Sequence, residues 1–169
     1  MNDIKNFDWS KFTLQISVRA ETQSVYNAWA VPTALEKWLV SKAEFSIAFT
    51  ILKSQFDLVQ DGDCFEWSWK HDGILDGVKG KIVEANGENF LRFILDDTSM
   101  LCVTIRKENG ETLVELFHKN ISANDEALIV NYLSYLKEWS FYLTNLKSFL
   151  EGGIDLRTKE IRIMEAVHA

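Results

Sequence analysis

The sequence predicts an α+β fold: a curved antiparallel sheet of about six to seven strands wrapped on a long C-terminal helix, with two short helices after the first strand. Three observations carry this. Residues 125–151 repeat apolar side chains at helical spacing, at Leu128, Tyr132, Tyr135, Trp139, Leu143, Leu146 and Leu150. Residues 61–120 form a run of short alternating segments separated by turn signals. One further alternating segment opens the chain and leads at once into two short helical patterns.

Taken in order, residues 1–10 read as a lead-in, with Phe7 and Trp9 able to pack on the body. Residues 11–20 alternate Phe12, Leu14, Ile16 and Val18 with polar partners, as a half-buried strand does. Thr22 is the expected cap of the first short helix, which carries Val25, Ala28 and Trp29 on one side. Pro32 begins the second, where a missing N–H costs nothing; Leu35, Trp38 and Leu39 form its apolar edge. Residues 43–60 are apolar-rich without a clear period, so the expectation there is an irregular or mobile segment roofing one end of the fold.

From Asp61-Gly62 onward the pattern is a meander. Phe65, Trp67 and Trp69 share one face of the next strand, and a turn follows at His71-Asp72-Gly73. Ile74–Ala85 is a long strand whose Gly77 and Gly80 suggest a bulge or bend. Asn86-Gly87, Asp96-Asp97 and Asn109-Gly110 then separate strands at 90–95, 100–106 and 112–120. The long helix takes Ser122 or Asn124 as its cap and Asp125 and Glu126 in its first turn, and Gly152-Gly153 stops it. At about 1.5 Å per residue it runs roughly 40 Å, the width of a domain of this size. Residues 154–169 read as a charged tail, and the whole of 1–169 as a single domain.

Composition narrows the function. A net charge of −7 without a Lys/Arg cluster argues against nucleic-acid or anionic-membrane binding. No apolar run is long enough for a membrane span, and the first residues lack a signal-peptide pattern. Cys64 and Cys102 fall on separate strands without metal spacing and read as reduced thiols, which fits a cytoplasmic protein. His71, His118 and His168 are too dispersed for a metal site, and no nucleophile elbow, zinc-protease or phosphate-loop motif is present. The expectation is no metal and no cofactor.

Two stretches resemble a known family. Val25-Tyr26-Asn27-Ala28-Trp29 with Pro32, Leu35 and Trp38 is similar to the first-helix pattern of the START-like (SRPBCC) superfamily. Trp139 to Leu143, followed by Leu146, Leu150, Glu151-Gly152-Gly153 and Asp155-Leu156-Arg157, resembles the terminal helix and exit of its activator-of-Hsp90-ATPase-like (AHSA1-like) branch. The resemblance spans roughly residues 11–157. It implies a helix-grip fold with a cavity between sheet and long helix that holds an apolar small molecule in many members. The eukaryotic Hsp90 activators carry an added N-terminal domain to which nothing here corresponds.

The leading expectation is therefore non-catalytic binding of a small hydrophobic or aromatic ligand. The cavity wall would draw on Trp29, Trp38, Phe65, Trp67, Trp69, Phe93, Val114, Leu116, His118, Tyr135, Trp139 and Tyr142. His118 shares a strand face with Val114 and Leu116; it is either a core histidine bonded to a neighbour or the acid/base residue of a cyclase- or hydrolase-like enzyme, and the first is favoured. The third alternative is a protein-interaction module that makes a homodimer or a chaperone contact. Glu66, Glu84 and Glu138 read as solvated.

Overall fold

The computed structural model describes residues 6–71, 74–121 and 125–157. The expected helix cap at Ser122 or Asn124, the residues Asp72-Gly73, His168 and most of the tail lie outside them.

Eight strands form one antiparallel sheet: β1 (Phe12–Val18), β2 (Lys42–Ile47), β3 (Ile51–Leu52), β4 (Cys64–His71), β5 (Ile74–Ala85), β6 (Phe90–Leu95), β7 (Met100–Glu108) and β8 (Glu111–Lys119). Their spatial order is β1-β8-β7-β6-β5-β4-β2-β3. Strands β4 to β8 are thus a pure meander, and β1 returns to pair with β8, Phe12 opposite His118 and Ile16 opposite Val114. Helices α1 (Thr22–Ala30), α2 (Pro32–Leu35) and α3 (Asp125–Gly152) complete the fold.

The apolar face of α3 lies on the sheet as its periodicity requires. Tyr132, Trp139, Leu143 and Leu146 are buried and join one core with Phe12, Trp29, Trp38, Phe65, Trp67 and Phe93. Gly153 takes φ +69° and returns its N–H to the Phe149 carbonyl at 2.9 Å, so it supplies the left-handed stop. Gly152 is still helical.

Three local expectations are corrected. Glu21, not Thr22, is the N-cap of α1, and it makes no side-chain cap bond. The break in β5 is not at its glycines: the register slips between Ile82 and Glu84, leaving Val83 as the extra residue. Gly80 instead makes room for an aromatic ring. A Cβ there would stand 2.6 Å from the Phe65 ring and 2.1 Å from the Ile94 carbonyl oxygen. Finally, residues 43–60 are ordered and regular at their start. They form a hairpin, β2 to β3, that extends the sheet beyond β4. Its turn places Ala48 (φ 52°) and Phe49 (φ 60°) in the left-handed region, closed by Thr50 N–H to the Ile47 carbonyl at 3.0 Å.

The exit from α3 is clasped. Asn145, fully buried, donates to the Trp38 carbonyl (2.7 Å) and to Asp155 Oδ1 (2.9 Å) and accepts from the Leu156 N–H (2.6 Å). Arg157 reaches the carbonyls of Val40 (2.7 Å) and Glu36 (2.8 Å) while paired with Asp155. The segment after the helix is thereby tied to the turn after α2.

Candidate functional site: a cavity between sheet and helix

Near the β4–β5 end of the sheet a space lies between the sheet and α3. Strand β4 sends Trp67 and Trp69 to the concave face, with Val78 and Asp76 opposite them on β5. From the other layer, α3 contributes Tyr135, Glu138, Trp139 and Tyr142, which are three and four residues apart and so share a face. Leu39 and Leu95 close the inner end. The space enclosed is about 180 Å³. Asp76, Gly77 and Glu138 are exposed, so the cavity opens to solvent between β5 and the helix.

The aromatic walls are fixed by hydrogen bonds at their edges. Trp69 donates from Nε1 to the Leu39 carbonyl at 2.7 Å, and its ring lies 6.4 Å from that of Tyr142. Trp139 packs 5.9 Å from Trp29, which meets Trp38 edge-on at 4.7 Å. Trp38 donates to the Ala28 carbonyl at 2.8 Å. The buried indole N–H groups of Trp29 and Trp67 have no partner among the described residues. Burial raises the Tyr142 hydroxyl above its ordinary range, helped by Glu138; it also raises the Glu138 carboxyl, with Asp76 adding to the rise and Lys137 opposing it.

Of the twelve residues the sequence nominates, the structure puts five on this cavity: Trp67, Trp69, Tyr135, Trp139 and Tyr142. The other seven, Trp29, Trp38, Phe65, Phe93, Val114, Leu116 and His118, are fully buried in the packed core. None of the residues lining the cavity comes from 43–60, so that segment does not roof it. Asp76 was not singled out in the sequence. The signal for it was its place two residues before Val78 on a strand whose even positions face inward.

His118 belongs to a polar chain that meets the cavity wall at Tyr135. Its Nε2 is 2.9 Å from Ser99 Oγ, which donates to Asp97 Oδ1 at 2.5 Å; Tyr135 donates from its hydroxyl to Asp97 Oδ2 at 2.7 Å. With the serine proton given to Asp97, Nε2 must be the donor to Ser99, and Nδ1 is left as a bare acceptor without a partner. Phe12 and Tyr135 pack on the imidazole at ring distances of 5.5 and 4.5 Å. Desolvation drives its pKa from 6.5 to about 4, against the weaker pull of Asp97. Burial would raise Asp97, but the bonds from Ser99 and Tyr135 more than offset it and hold the carboxyl below its ordinary range. His118 is thus buried in the core and bonded to Ser99.

No family model and no curated protein matches the chain. Solved structures do. Protein SSP2350 from Staphylococcus saprophyticus superposes with a TM-score of 0.68 at 14% identity, covering 88% of this chain and 96% of that one. An AHSA1-like protein from Aeromonas hydrophila gives 0.62 at 21% identity, covering 88% and 97%. The chain has the AHSA1-like fold. The Aha1 dimer from Colwellia psychrerythraea shares that fold, with a TM-score of 0.64 at 14% identity over 85% of this chain and 97% of that one. Within the AHSA1-like fold, the gap described above falls between the grip of the sheet and the helix it holds. Among the described residues no helix is long and apolar enough to cross a membrane, and no group of His, Cys, Asp and Glu is arranged to hold a metal ion.

Proposed function

We propose that this chain binds a small hydrophobic or aromatic molecule, without catalysis, in the cavity between β4, β5 and α3. The observation that carries the reading is the cavity itself: about 180 Å³, walled by Trp67, Trp69, Trp139, Tyr135 and Tyr142. An apolar concave site with a few placed polar groups is what small ligands need. A void of about 150 Å³ already admits a benzene ring. Native mass spectrometry of the purified protein tests for a retained ligand. A panel of one-ring aromatic compounds should quench tryptophan fluorescence and raise the melting temperature, because only the folded form binds. Val78→Trp, which fills the cavity from β5, should abolish both effects. Absence of quenching and of melting shifts across the panel would end this reading.

A second reading, self-association through the β2–β3 hairpin, has its own support. Ile47 at the end of β2, Phe49 in the turn, Ile51 and Leu52 on the edge strand β3 and Phe56 just after it are exposed, Phe56 at 79% and Leu52 at 65%. Exposed apolar clusters of this kind mark contact surfaces, and an edge strand is a template for pairing. Two consecutive non-glycine residues with positive φ keep Phe49 presented at the tip, where backbone strain points to a role. The likeness of the fold to an Aha1 dimer supports a second copy as the occupant. Sedimentation of the wild type as a dimer, and of Phe49→Asp as a monomer, is the expected outcome; a monomeric wild type at high concentration would remove it.

A further inference from the structure

We infer that the cavity selects an organic cation, an aromatic or short branched aliphatic group bearing an ammonium, over neutral and acidic molecules of the same shape. The inference rests on the ligand-binding reading and narrows it to a chemical class.

Among the described residues, the charged groups that line the cavity are Asp76 and Glu138, both acidic, and no Lys, Arg or His lines it. They stand on opposite walls of the mouth. Asp76 is cross-strand from Trp69 and so points to the concave side. Glu138 lies one helical turn from both Tyr135 and Tyr142. Asp76 accepts a bond only from its neighbour's backbone, the Gly77 N–H at 2.9 Å, and neither carboxylate is held in an ion pair among the described residues. Lys137, at the adjoining helix position, does not line the cavity and only partly offsets the rise of Glu138, and Arg157 is paired with Asp155 and bonded to two carbonyls.

Two carboxylates that face each other repel. Burial raises the Glu138 carboxyl, and the charge of Asp76 adds to the rise while Lys137 opposes it. A bound cation relieves the repulsion, whereas a ligand carboxylate would add a third negative charge. The walls act in the same sense. The ring faces of Trp69, Trp139, Tyr135 and Tyr142 carry negative quadrupole potential, which attracts a desolvated ammonium. At about 180 Å³ the cavity takes one ring with a short substituent, leaving the charged end between Asp76 and Glu138.

Benzylammonium, benzyl alcohol and benzoate share one ring and differ in charge. Titrated at neutral pH by tryptophan quenching, benzylammonium should bind about tenfold or more tightly than the alcohol, with benzoate weakest. Added salt should weaken the ammonium complex selectively. In Asp76→Asn/Glu138→Gln the ratio of ammonium to alcohol affinity should fall to near one. Each single change should lower it part of the way, which keeps the test usable if the double variant folds poorly. Equal binding of ammonium and alcohol, or a ratio that survives both substitutions, would overturn the inference and leave the cavity reading standing. No binding by any of the three, or by the wider apolar panel, would overturn both.

Discussion

Replacing His118 by glutamine should flatten the acid limb of this protein's stability curve. In the folded state the imidazole is neutral, with its pKa lowered from 6.5 to about 4 chiefly by desolvation. Unfolding returns it to water, where it takes up a proton below about pH 6.5. A depressed pKa of this kind contributes stability that is fully present above the unfolded value and is lost as the pH falls toward the folded one. Between about pH 7 and about pH 4.5, the linkage relation gives a loss of roughly 2.5 kcal/mol from this one group. Glutamine can still offer an N–H to Ser99 Oγ, but it does not titrate. Other groups, notably Asp155 and Glu151, whose carboxyls lie below the ordinary range and which are not bonded to His118, lose stability in acid in both proteins, so the comparison reads His118 together with its partner Asp97. Urea unfolding at the two pH values measures it. The wild type should lose about 2 kcal/mol more than His118→Gln. Parallel losses in the two proteins would refute the assignment of His118 as a neutral core residue.

Trp139→Ala removes a buried ring packed against Trp29 and Tyr142 and should cost about 3–5 kcal/mol, read as a fall in the urea midpoint; an unchanged midpoint would place Trp139 outside the core. Replacing Ala48-Phe49 by Asn-Gly relaxes two left-handed positions and should stabilise by about 1–2 kcal/mol while removing self-association, so a gain without a change in sedimentation would detach the hairpin from dimerisation.

Legibility in the sequence followed periodicity. The helix from Asp125 and the meander from Asp61 were readable because a stripe at helical spacing and a strict alternation each repeat enough times to leave one interpretation. The hairpin at 42–52 was not readable, because its turn is Ala48-Phe49. Neither residue signals positive φ, and the usual Asn-Gly or Asp-Gly pair is missing. Gly80 looked like a bulge because sequence cannot tell a glycine needed for backbone freedom from one needed for the Phe65 ring. At the cavity, the aromatic half of the lining was legible as inward positions of β4 and α3. The carboxylates were not: Glu138 reads as a solvated helix residue, and only the cross-strand register puts Asp76 beside Trp69. Asn145 was missed because one polar residue in an apolar helix face carries no sign of its three partners.

The pairing of β1 with β8 has a consequence for synthesis. Among the described residues, β1 has β8, some hundred positions later, as its one neighbour in the sheet. Strands β4 to β8 can each zip onto their predecessor as they leave the ribosome, since every link between them is short. Residues 12–18 have no such option and must wait until residues 111–119 have been made, with Phe12, Leu14 and Ile16 unpaired. Closing a loop of that length is the slow, entropically expensive step in building a sheet of this topology. Until it closes, the nascent chain offers an open strand to other chains or to a chaperone, and the finished edge of β8 stays bare as well.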